Sequence, residues 1–216
     1  MDIERFLELV NESKGKIVGV VETHIHADHL SGSREVQKAV GCPIFMHEVS
    51  SPLNFPFKKL VEGEYDLAGL KLQVIHTPGH APEHISLLID DSVILSGDCL
   101  LVGDVGRTDL GRGNVEQLYD SLARLLKLED RIEILPAHVS KKHFVSGGTS
   151  STIGIERRSN PALQLKSKSE FFDYMTKGWP PKPAHNELFV KVNRGLMELS
   201  EAQGLAKARQ GELYSD

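Results

Sequence analysis

This sequence predicts an α/β domain with mixed sheets, on three observations. Short β-branched or aliphatic runs recur along the chain, Ile17–Thr23, Leu70–Thr77, Val93–Ser96 and Ile132–Leu135, the first three closing on a polar residue. Between and after them lie segments with apolar residues at helical spacing, clearest at Val115, Leu118, Tyr119, Leu122, Leu125 and Leu126. The length of 216 residues, 40% hydrophobic and 25% charged, suits one domain with a real core and a modest extension.

In chain order, Ile3, Phe6, Leu7 and Val10 predict an amphipathic helix over 3–13. Ile17–Thr23 reads as a buried strand because its residues are apolar without alternation. The polar stretch His24–Gly32 falls at that strand's C-terminal end. Ser33–Val40 reads as a helix with Gly41 at its end, and Pro43–His47 as a short strand. Leu70–Thr77, His84–Asp90 and Val93–Ser96 read as strands, the last two joined by a tight turn at Asp90-Asp91. A Gly-rich loop, Gly103–Gly113, precedes the helix that begins at Val115, and the strand Ile132–Leu135 runs into Pro136-Ala137-His138. From about Gly147 the stretch GGTSSTIG reads as loop. Glu170–Lys177 and Glu187–Lys207 read as helices, with Trp179–Pro183 (WPPKP) a stiff break between them. The expected organisation is a core over 1–146 with a helical C-terminal extension, 147–216, packed on it within the same domain.

Composition narrows the function. There are 25 basic and 30 acidic residues, a net charge of −5, which argues against a dedicated nucleic-acid binder. No apolar run approaches the roughly 18 residues of a membrane span, and the acidic start MDIERFLELV lacks the basic region of a signal peptide. Two cysteines, Cys42 and Cys99, are too few for a disulfide framework, so the expected compartment is the reducing cytoplasm.

The ten histidines stand out. His24, His26, Asp28 and His29 place four metal-binding groups in six residues, a density that ordinary surface or core packing does not explain. His24 and His26 can converge while Asp28 and His29 diverge, so one loop can feed two neighbouring metal positions. His80, Asp98 and His138 each follow an apolar strand, the arrangement by which α/β folds deliver ligands to one edge. His47, His143 and His185 read as ordinary residues, and His76 and His84 as supporting ones. Cys99 reads as a small buried residue, with a redox-sensitive thiol as the alternative.

In this order the segments THIHADH, TPGHAPEH, LSGDCLLVGDVGRTDL and LPAH resemble the metallo-β-lactamase superfamily, and within it the persulfide dioxygenases. The narrower resemblance rests on His26–Gly32 (HADHLSG), on Gly106-Arg107-Thr108-Asp109, and on the tail segments Ser151–Gly154 and Asn160–Leu163. The resemblance implies an αββα sandwich with metal at one edge. Only 23 residues precede His24, so it also implies an N-terminally shortened variant. A sheet edge exposed in this way favours pairing, which makes a homo-oligomer one expectation.

The resemblance further implies one Fe(II) per chain, held by His24, His80 and Asp98, and oxidation of glutathione persulfide or a similar small persulfide by O₂ to sulfite and thiol. His26, Asp28, His29 and His138 then orient the ligands, Asp28 and His29 also bonding bound oxygen or water. Arg107 pairs a carboxylate of the thiol, or else forms a structural ion pair with Asp109 or Asp104. The rival is a thiolester hydrolase with two Zn(II), similar to hydroxyacylglutathione hydrolase. In it His24, His26 and His80 hold one ion, Asp28, His29 and His138 the other, and Asp98 bridges. A third expectation is a shortened, inactive or partner-dependent metal-binding protein.

Overall fold

The computed structural model describes residues 3–50, 52–110, 112–139 and 149–208. The expected boundary at 146/147 and His143 lie outside them. The chain forms two compact units, one of Met1–Leu60 with Lys182–Asp216 and the other of Val61–Pro181.

The first unit opens with helix α1 (Ile3–Glu12), whose apolar side leaves no residue fully buried. Strand β1 is only Val20–Val21, shorter and less buried than the run Ile17–Thr23 predicts. Among the described residues it lies at the edge of a three-stranded parallel sheet and pairs with β2 (Ile44–His47) alone, so the rest of the run has no second ladder there to extend it. Helix α2 (Ser33–Val40) ends as expected at Gly41, whose φ of 71° lets its N–H reach the Gln37 carbonyl. Strand β3 (Lys58–Leu60) completes the sheet beside β2.

The second unit is built on a six-stranded mixed sheet. Its strands are β4 (Gly63–Leu67), β5 (Leu70–His76), β6 (Ile85–Ile89), β7 (Val93–Gly97), β10 (Glu133–Pro136) and β11 (Ser151–Thr152). The four strands β4 to β7 form an antiparallel meander; β10 joins β7 in parallel and β11 closes the edge antiparallel. Asp90 and Asp91 make the predicted turn with φ of 48° and 51°, the left-handed geometry a two-residue hairpin requires. Where the expected Gly-rich loop Gly103–Gly113 begins, the chain forms a small hairpin of β8 (Leu100–Leu101), just before it, and β9 (Asp104–Val105), within it. Helix α3 (Val115–Leu125) is capped by Asn114, whose side chain accepts from Gln117 N–H. Helices α4 (Ile153–Ser159) and α5 (Lys168–Thr176) follow. The core gathers Leu88, Ile94 and Ile134 from the sheet, Leu118, Leu122 and Leu125 from α3, and Phe171 and Met175 from α5.

The first unit receives the last two helices, α6 (Asn186–Asn193) and α7 (Leu199–Ala208). The single helix expected over Glu187–Lys207 is therefore corrected to two. Gly195, with φ of 68°, turns the chain between them. The loop expected at GGTSSTIG is also corrected from Ser151 on: β11 runs into α4, where the Thr152 hydroxyl accepts from Ile155 N–H. No helix among the described residues is long and apolar enough to cross a membrane.

Candidate metal centre

Each unit carries part of the expected ligand set, and each part is assembled by local geometry. In the first unit the chain leaves β1 through Glu22 and Thr23 into the loop His24–Ser31. His24 is buried, and its Nδ1 lies 3.0 Å from the Thr23 hydroxyl, which leaves Nε2 as the ring's ligand atom. His26, Asp28 and His29 present donor atoms within 4.8 Å of one another. The His26 ring lies 4.3 Å from that of His24 and 4.2 Å from that of His29, centroid to centroid. His29 Nδ1 is 2.9 Å from Asp28 Oδ1, and the His29 side chain is more than half exposed.

Two groups the sequence reading did not single out shape this loop. Glu22 Oε2 stands 3.4 Å from His26 Nε2, and Glu22 Oε1 accepts from the Ser31 hydroxyl. Burial pushes the Glu22 carboxyl up, but His26 and the Ser31 and Ser33 hydroxyls more than reverse that, so it lies below the ordinary carboxylate value. Asn193, at the end of α6, donates through Nδ2 to the carbonyls of His26 and His29, both at 2.9 Å, and accepts Ser31 N–H at 3.0 Å. No local signal in the sequence marks Asn193, because its partners lie more than 160 positions away.

In the second unit His80, Asp98 and His138 come together. Asp98 Oδ2 is 3.4 Å from His80 Nε2 and 3.1 Å from His138 Nε2. The side chains of His80 and Asp98 are 7% and 6% exposed, that of His138 48%. His80 Nδ1 donates to the Arg107 carbonyl at 2.8 Å. That bond sets the tautomer, so Nε2 carries the lone pair a metal needs. Asp98 follows β7 directly and donates its own N–H to His84 Nε2 at 2.9 Å. His84 therefore carries its proton on Nδ1 and donates it to the Thr77 hydroxyl at 2.8 Å; Thr77 in turn meets Ser86 Oγ at 3.0 Å. His84, Thr77 and Ser86 are all fully buried. Cys99 is a core residue, and burial pushes its thiol far up, as a small buried side chain requires.

The loop Gly106–Asp109 is clamped from several sides. The Arg107 guanidinium meets both carboxylate oxygens of Asp109 at 2.6 and 2.9 Å, donates to the Pro180 carbonyl at 3.0 Å, and lies over the Trp179 ring at 5.7 Å. Asp104 turns instead to Tyr174, whose hydroxyl donates to it at 2.9 Å. Behind the loop, Glu156 accepts from Gly103 N–H at 2.9 Å and from Asn160 Nδ2 at 2.8 Å, and Asn160 also reaches the Asp104 carbonyl at 2.9 Å. The tail segments Ser151–Gly154 and Asn160–Leu163 thus flank a buried polar brace under the hairpin that leads into Arg107. His47 is buried with Nδ1 accepting Val49 N–H, and His185 caps α6 in a left-handed conformation.

Comparison with known proteins places this architecture. Residues 1–138 match the family described as the metallo-beta-lactamase superfamily. The mitochondrial persulfide dioxygenase ETHE1 of Mus musculus is 33% identical over 195 residues, 88% of this chain and 73% of that protein. The hydroxyacylglutathione hydrolase GloC of Haemophilus influenzae is 30% identical over 191 residues, 77% of this chain and 85% of that protein. Among solved structures, ETHE1 from Myxococcus xanthus superimposes with a TM-score of 0.81 at 33% identity, covering 90% of this chain and 84% of that one.

Proposed function

The chain belongs to the metallo-β-lactamase superfamily, and from that premise we propose that it is an iron-dependent persulfide dioxygenase of the cytoplasm. The observation that carries this reading is where the Gly106–Asp109 loop sits. The segment by which the sequence resembles persulfide dioxygenases supplies the carbonyl that orients His80. The likeness to that family also reaches over 88% of the chain, against 77% for the hydrolase.

The donor set fits the metal. In the ligand set that the family resemblance implies, His24, His80 and Asp98 would hold one ion, and all three are buried; two imidazoles and one carboxylate are the set that suits Fe(II) and leaves positions open to other ligands. Bound there, iron supplies the one-electron chemistry with O₂ that zinc lacks. The overall change is persulfide plus O₂ plus water to thiol, sulfite and two protons. The terminal sulfur loses four electrons, O₂ takes up four, and the S–S bond breaks.

The chain's own groups bind, orient and handle protons. The Arg107 carbonyl keeps His80 Nε2 available, and the His84 contact keeps the Asp98 backbone in place. His138 shares Asp98 Oδ2 with His80 and steadies the carboxylate. His29, whose Nδ1 donates to Asp28, offers the Nε2 lone pair as a hydrogen-bond acceptor and base to water. For Arg107 to read a carboxylate on the thiol, its guanidinium must exchange Asp109 for the substrate. Free, buried Cys42 and Cys99 agree with a reducing compartment.

The dinuclear zinc hydrolase is favoured by one observation, the clustering of His26, Asp28 and His29. Metal content separates the two on protein purified without added metal or chelator. About one iron per chain, with O₂ uptake on glutathione persulfide, supports the dioxygenase. About two zincs per chain, with thiolester hydrolysis, replaces it by the hydrolase. Negligible metal in folded protein points to a chain that does not act alone.

A further inference from the structure

We infer that Asn193 is a positioning residue of the metal loop, a role that rests on the metal reading above. Its amide makes three hydrogen bonds to a six-residue stretch, two as donor to the His26 and His29 carbonyls and one as acceptor from Ser31 N–H. An irregular loop has no ladder to satisfy these backbone groups, so a side chain must do it. The bonds straddle Asp28 and fix the backbone on both sides of it, which sets the directions of the His26, Asp28 and His29 side chains. Asn193 is itself held. Arg34 donates to the neighbouring Val192 carbonyl at 3.1 Å, and Asn54 binds the following turn through its N–H to the Arg194 carbonyl at 2.8 Å and its side-chain amide to the Gly195 carbonyl at 3.1 Å. The end of α6 is thus a fixed point from which the loop is hung, and the C-terminal helices belong to the site's scaffold. Outer groups of this kind tune metal affinity by about 10–100-fold.

Asn193→Asp isolates the two donor bonds. It keeps an acceptor for Ser31 N–H and sets carboxylate oxygen against two carbonyls. Asn193→Ala removes all three bonds. The expected result for Asn193→Asp is a melting temperature close to wild type and metal release to a chelator about 10–100-fold faster. For Asn193→Ala, amide exchange in the metal-free protein should quicken at Ser31 and leave the core strands unchanged. Wild-type metal release from Asn193→Asp, together with wild-type exchange at Ser31 in Asn193→Ala, overturns the inference. So does a uniform rise in exchange across the chain, the mark of a merely structural residue. If the wild-type protein binds no metal, the metal reading fails, and local against uniform exchange still decides the role of Asn193.

Discussion

Asp98 is the residue on which most of the site converges. One carboxylate oxygen faces both His80 and His138, and its N–H is taken by His84. Asp98→Ala should abolish iron retention, whereas His26→Ala should leave most of the iron bound; equal loss from both, read by metal analysis, would contradict a single ion held by His24, His80 and Asp98. His84 offers a second test. His84→Leu strands the Asp98 N–H in the interior, at about 1–3 kcal/mol for the unsatisfied donor, while the Thr77 hydroxyl keeps Ser86 Oγ. A clear fall in melting temperature is expected, partly recovered in His84→Gln, whose amide oxygen can accept; a wild-type melting temperature for His84→Leu would exclude this role. At this scale the ligand types were legible, because metal donors are rare in such density. Glu22 and Asn193 were not, because a lone acid or amide acquires meaning only from the group it meets.

At the scale of elements, close backbone approaches matter most. A Cβ on Gly106 would overlap the Asp98 carbonyl oxygen, so glycine there lets the loop lie against the strand end that bears Asp98. Gly106→Ala should cost about 1–3 kcal/mol through forced backbone shifts and reduce metal content; an unchanged denaturation midpoint with full metal would show that the approach is dispensable. Helix α3 is tied to the end of β5 by Arg124, which bonds the His76 carbonyl and Glu62 at 2.8 Å each. The Arg124 hydrogen bond holds the Glu62 carboxyl below its ordinary value of 4.5. A depressed carboxylate stabilises the fold above its unfolded pKa, and that stabilisation is lost as pH falls through the folded value. The pair is about half exposed, so its contribution is at most about 0.5 kcal/mol. Arg124→Ala should raise the Glu62 pKa toward 4.5 in an NMR titration; an unmoved titration would mean that the pair does not persist in solution. Helices α2 and α3 were legible from their periodicity and caps. The pair β8 and β9 was not, since two-residue strands carry no pattern, and the split between α6 and α7 depends on one glycine inside an otherwise helical run.

For the whole molecule, folding and metal binding are thermodynamically linked. Metal that binds only the folded chain stabilises it by mass action, about 2.7 kcal/mol at a hundredfold excess over Kd. Chelation should therefore lower the melting temperature, which calorimetry with and without chelator can check; a transition indifferent to metal would speak against a bound ion. The α/β class and the superfamily could be read from the sequence alone, because strand and helix periods and the spacing of His and Asp in motifs are local properties carried in short segments. Folding alone sets which nitrogen of His80 and of His84 carries the proton, the pairing of Arg107 with Asp109, and the bonds of Asn193 to the His26–Ser31 loop. Those facts depend on groups far apart in the chain, and the hydrogen bonds between them exist only once folding has brought them within reach.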